Sequence, residues 1–105
     1  MSSKLLLKNM KSDGLRKIAR GQECQIRLPC CNANHETTVL AHYRLAGHCG
    51  TGVKPDDFVF GAWACSACHD VVDGRAKIDG WSKSEIRLAH AEGVMRTQML
   101  ILEEL

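Results

Sequence analysis

Residues 63–74 read WACSACHDVVDG, a run that brings Cys65, Cys68 and His69 within five positions and continues into a predicted helix. A C-x-x-C turn holds two thiolates within reach of one metal ion, and the histidine adds a second kind of ligand. Two chemistries use this spacing: half of a zinc site fused to a histidine-bearing helix, and a c-type haem attachment sequence. Haem attachment needs export and an axial partner such as Met95 or Met99, and it leaves the other cysteines without a role. The apolar run Leu5–Leu7, set between lysines, is shorter than a secretory h-region, and no stretch approaches membrane-spanning length. A reducing, cytoplasmic location without membrane contact is therefore expected, where cysteines bind metal more often than they form disulfides.

Working outward, Cys24 and Cys31 supply a second thiol pair, which makes Cys24, Cys31, Cys65 and Cys68 a candidate four-thiolate set for a structural Zn²⁺. Cys30 competes with Cys31 for the place, and Cys49 reads as a small buried hydrophobe. A structural metal suits a chain of 105 residues with only two Trp, one Tyr and two Phe to fill its core. That length allows one domain, expected over residues 12–105, behind a basic arm at residues 1–11. The first twenty residues carry Lys4, Lys8, Lys11, Arg16, Lys17 and Arg20 against Asp13 alone, a distribution that fits a solvated tail or contact with phosphates.

The local patterns predict an α+β domain. Ser12 or Asp13 can cap a short helix with Leu15, Ile18 and Ala19 on one face, closed by Gly21. Cys24–Leu28 alternates like a strand and Thr37–Tyr43 is rich in β-branched residues, so the two are expected to pair as a hairpin. Residues 44–57 form a glycine-rich loop, and Phe58–Ala64 reads as a strand leading into Cys65. Ser82-Lys83-Ser84-Glu85 is a capping box that opens a long helix to about Leu102. Its inward stripe is expected at Ile86, Ala89, Gly93, Met95 or Arg96, Met99 or Leu100, and Leu102; the same stripe could join two copies as a homodimer.

Two further constellations carry chemistry. His69 and Asp73 are four apart on one helix and therefore share a face, where they could hold a divalent cation with positions left open, or Asp73 could simply solvate the helix end. His42 sits near a strand end, where a histidine more often serves structure than catalysis, although a hairpin packed on the metal-bearing helix would place it opposite His69.

Taken together, ECQIRLPCCN (23–32), TTVLAHYRLAGHCGTGVKPDD (37–57) and ACSACHD (64–70) resemble the HNH, or ββα-metal, endonucleases, and more closely the YbcO family of small phage and prophage nucleases. The similarity runs from about Leu15 to Leu102. It implies a zinc-stabilised ββα-metal core between a short N-terminal and a long C-terminal helix. His42 becomes the general base, His69 a ligand of a catalytic Mg²⁺, Mn²⁺ or Zn²⁺, and DNA the substrate. The family's middle asparagine has no match, and Asp57 occupies a roughly similar position from which it could orient the loop. Ala41 stands where many relatives place a metal ligand, which leaves Asp73, His35 or Glu36 as substitutes, or His42 itself as a ligand with the base elsewhere. Arg44, Lys54 and Arg75 lie near the site in sequence and could hold phosphates. The competing expectation is a zinc-stabilised DNA-binding or protein-interaction module without catalysis.

Overall fold

The computed structural model describes residues 14–47 and 55–104. The arm at 1–11, the cap at Ser12 or Asp13, and Cys49 and Lys54 lie outside the described residues. The elements run α1 (Gly14–Ile18), a 3-10 turn (His35–Thr37), β1 (Val39–His42), α2 (Asp57–Phe60), β2 (Gly61–Ala64), α3 (Ser66–Val72) and α4 (Lys83–Glu103). Helices pack around a two-stranded sheet, which makes this a small α+β fold. No helix among the described residues is long and apolar enough to cross a membrane.

The sheet is not the expected hairpin. β1 pairs antiparallel with β2, in the register Leu40 opposite Trp63 and Ala41 opposite Ala62. Cys24–Leu28 is irregular because Arg27 adopts φ 60, a left-handed conformation that ends any extended run. The segment still lies along β2: the Gln25 amide donates to the Trp63 carbonyl at 2.7 Å. On the same strand the Trp63 amide donates to the Thr97 hydroxyl at 3.0 Å, so both outward-facing groups of this residue find partners without a third strand.

Phe58–Ala64 divides into a one-turn helix and a strand. Asp56 caps α2 by accepting from the Phe58 and Val59 amides, which favours the helical turn over extension. β1 is shorter than the predicted run because Thr37 belongs to the 3-10 turn, capped by Asn34. The long helix begins as its capping box requires, with Ser82 and Glu85 exchanging both bonds.

Strand alternation separates two apolar groups. Leu40 and Trp63 pack with Leu15, Ala19 and Ile101. Ala41, Ala62 and Ala64 pack with Ile26, Leu28, Val71, Val94 and the thiols. α4 reaches both groups. Of the expected stripe, Gly93 is buried and Ile86 and Ala89 pack half-buried against the core, but beyond Gly93 the inward face departs from the expected one. Its buried residues are His90, Gly93, Val94, Thr97 and Ile101, whereas Leu88, Met95, Met99 and Leu102 are exposed. Two polar residues on the inward face, His90 and Thr97, made that stripe read as less apolar than the outer one.

Gly93 sets how closely α4 approaches. A Cβ there would lie 2.9 Å from Ile26 Cγ1, 3.1 Å from Ile26 Cα and 3.2 Å from the Gln25 carbonyl. The close approach also lets Arg96 donate twice to that carbonyl, at 2.9 and 2.6 Å. Gly93→Ala should therefore destabilise by about 1–3 kcal/mol, overcoming the roughly 1 kcal/mol that alanine gains over glycine in a helix. Urea unfolding of the variant at neutral pH measures the difference.

Candidate metal centre and the adjoining histidine cleft

Cys65 is the N-cap of α3, its sulfur accepting from the Cys68 amide, so both thiols of the C-x-x-C turn are aimed by one helix start. The irregular 24–31 segment brings the other two. The sulfurs of Cys24, Cys31, Cys65 and Cys68 all lie within 4.8 Å of one another. Cys31 and Cys65 are 3.8 Å apart, matching the roughly 3.8 Å between ligands of a tetrahedral site with 2.3 Å zinc–sulfur bonds. Cys30 stands outside this group.

Backbone amides of Arg27 and Ile26 serve the Cys24 sulfur, and the Ala33 amide serves Cys31. Such donors favour thiolates. The thiols nevertheless oppose one another's ionisation without a cation. Cys24 is drawn well below the ordinary thiol range chiefly by the hydrogen bond from Cys68. Cys68 is pushed up by the same bond and by burial, and burial pushes Cys31 up to about 11. The soft donors, their spacing and their mutual repulsion as anions all fit a metal such as zinc.

A second constellation begins where β1 ends. His42 Nε2 and Asp57 Oδ1 are 2.7 Å apart, and Asp57 Oδ2 takes the Arg16 guanidinium at 3.2 Å. Asp57 is held by the α2 turn, which closes onto β2 through the Gly61 amide bonding to the Asp57 carbonyl. A side chain at Gly61 would collide with that carbonyl and with Leu40. His42 lines a cleft of about 200 Å³ with Arg44, Asp73 at the C-cap of α3, and Arg87 and His90 from α4.

His69 connects to the cleft through Asp73, their Nε2 and Oδ2 atoms 3.0 Å apart as the four-residue spacing requires. Arg75 is committed locally: it pairs with Asp70 and Asp73 at 3.1 and 3.0 Å, and its guanidinium is 3.4 Å from His69 Nδ1. Arg44 reaches the cleft, while His35 and Glu36 sit in the 3-10 turn away from its lining.

Sequence reasoning missed His90. Its Nε2 bonds the Ala41 carbonyl at 3.0 Å, and its ring meets Tyr43 edge-on at 5.3 Å. Burial lowers its pKa, against the opposing pull of that carbonyl and of Asp73, while Arg87 and His69 add to the lowering. The available signal was spacing, since His90 follows Ile86 by four residues and precedes Gly93 by three, on the inward face of α4.

This arrangement defines a class: a small α+β protein with a four-cysteine centre that can hold a metal, beside a cleft of histidines and carboxylates. Comparison with known proteins assigns the family. The profile described as "Putative nuclease YbcO" matches residues 13–105, and the chain belongs to that family. It is 53% identical over 92 residues to "Putative nuclease YbcO" of Escherichia coli (strain K12), covering 86% of this chain and 92% of that one. The same figures hold for "Putative nuclease ybcO" of Enterobacteria phage 82. A solved structure described as a putative bacteriophage protein from Escherichia coli K-12 MG1655 superposes with a TM-score of 0.69 at 43% identity, over 85% of this chain and 96% of the other.

Elemental analysis of purified protein should find one zinc per chain. Cys31→Ser should lose it and lower the melting temperature by at least about 10 °C, whereas Cys30→Ser should keep both. His90 adds a pH dependence. Its folded pKa lies below the unfolded value, so its contribution to stability is complete above about pH 6.5 and is lost as pH falls toward the folded pKa. Urea unfolding at pH 7 and pH 5.5 should show a smaller acid loss for His90→Gln than for the wild type.

Proposed function

We propose that this chain is a phage-type HNH endonuclease that hydrolyses phosphodiester bonds of DNA with a divalent metal. The observation that carries the reading is the His42–Asp57 pair at the wall of a cleft shared with Asp73, beside a helix that presents His69. The names borne by relatives at 53% identity support the nuclease class.

In this reading His42 is the general base. Asp57 accepts from Nε2–H, which places the imidazole lone pair on Nδ1, ready to take a proton from the attacking water. Arg16 on the second carboxylate oxygen holds Asp57 in orientation, so Asp57 is a positioning residue. His69 and Asp73 offer an imidazole nitrogen and a carboxylate oxygen, a donor set that suits Mg²⁺, Mn²⁺ or Zn²⁺ with positions left for water and phosphate oxygens. A cation held there would stabilise charge developing on the leaving 3′ oxygen. Ala41 is buried completely and faces the core, so it contributes no donor. Arg44, and Lys54 in the segment between β1 and α2, are the proposed phosphate contacts.

Nicking of supercoiled plasmid with Mg²⁺ or Mn²⁺ tests the proposal. His42→Ala should lower the rate by about 10²–10⁴-fold, and Asp57→Asn by about 10–100-fold, the usual cost of removing a group that orients a functional histidine. Equal cleavage by wild type and His42→Ala would assign the base elsewhere. Absence of cleavage by the folded, zinc-loaded wild type on plasmid, duplex and single strands would leave a DNA-binding or protein-interaction module.

A further inference from the structure

A groove of about 470 Å³ opens beside the histidine cleft, and Val72, Ile86 and Arg87 line both. Its walls come from the end of α3, the connector 75–82 and the first turns of α4. Ile78 and Trp81 give it an apolar and aromatic lining, and Lys77 and Lys83 stand on it as exposed cations. Among the described residues neither lysine pairs with a carboxylate, and Asp79 is the one acid in the lining. Trp81 keeps 36% of its surface exposed, although the adjoining apolar groove could have covered it.

We infer that this groove is a base-binding subsite that receives an unpaired nucleotide of a DNA strand whose neighbouring phosphate enters the histidine cleft. The inference deepens the nuclease reading, on which it rests for the position of the reacting phosphate. Three observations select this occupant. An exposed indole beside Ile78 and Val72 offers the flat apolar platform on which a base stacks, and such platforms accept every base because each has a π-face. Lys77 and Lys83 supply the charge that a strand's phosphates require, which an apolar peptide or a second copy's methionines would not use. The groove is also continuous with the cleft through Arg87.

The Arg87 guanidinium lies 4.4 Å over the Tyr43 ring. One nitrogen donates to the Tyr43 hydroxyl at 2.7 Å and approaches the Arg44 carbonyl at 3.5 Å. No carboxylate among the described residues neutralises it. Arg87 is thus fixed at the junction with donors to spare, where the phosphate between a stacked base and the reacting centre would lie. A base within a duplex cannot reach an indole in a side groove without leaving its stack. The site accordingly favours single strands, flaps or unpaired ends over intact duplex.

Binding is measured without added Mg²⁺ or Mn²⁺ in His42→Ala protein carrying only its structural zinc, so that cleavage plays no part, with a dodecamer of thymidylate and a blunt duplex of equal nucleotide content as probes. The single strand should quench tryptophan fluorescence and bind more tightly than the duplex. Trp81→Ala should weaken its binding by about tenfold, while Trp81→Phe restores it to within about threefold. The double variant Lys77→Ala/Lys83→Ala, which changes only exposed side chains, should lower the slope of log affinity against log salt by about 1.4. Unchanged affinity in both Trp81→Ala and the lysine variant, or a preference for blunt duplex, would overturn the subsite. Quenching and strand preference that persist while plasmid nicking fails would remove the nuclease reading and leave the subsite standing.

Discussion

The convergence of four sulfurs is the constraint on which the rest of this structure depends. Two come from a helix start and two from a segment with no regular structure, so the protein must bend the 24–31 chain to meet α3. That bend requires the left-handed Arg27, the backbone donors to Cys24 and Cys31, and the clamp of Arg96 on the Gln25 carbonyl. It also requires Gly93, since only a residue without a side chain lets α4 lie against Ile26. The thiols resist ionising together in the absence of a cation, so a metal held by all four would couple its binding to closure of the fold.

The histidine cleft is assembled from the ends of the same elements. β1 delivers His42, the C-cap of α3 delivers Asp73 with His69 bonded behind it, and α4 contributes His90 and Arg87. Asp57 belongs to a four-residue helix that gains little stability by itself and is held by its cap, by Gly61 and by the Arg16 ion pair. So short an element keeps its place because the flanking strand is buried throughout its length.

Charge on the surface is sorted by partner. Arg75 is consumed by Asp70 and Asp73, which braces the end of α3. Arg87 is instead braced by an aromatic ring and a hydroxyl, a support that leaves its positive charge without a carboxylate among the described residues. The contrast leaves one arginine paired with carboxylates and the other with no carboxylate partner among the described residues.

Local chemistry made much of this legible. The C-x-x-C turn, the helix it starts, the capping box of α4 and the four-residue step from His69 to Asp73 depend on neighbours in the chain, and each can be read from spacing. The choice of Cys31 over Cys30, the pairing of β1 with β2, the irregular course of Cys24–Leu28 and the inward face of α4 depend on long-range packing. Alternation in CQIRL signalled a strand, yet the geometry of the thiols and the positive φ of Arg27 prevailed. The polar side chains of His90 and Thr97 hid the true core face because their burial is compensated only by the Ala41 carbonyl, the Gly93 carbonyl and the Trp63 amide. The sequence by itself determined which groups could bind metal, cap helices and carry protons. The tertiary structure alone decided which of them meet, because a hydrogen bond between residues far apart in the chain leaves no periodic trace in either one.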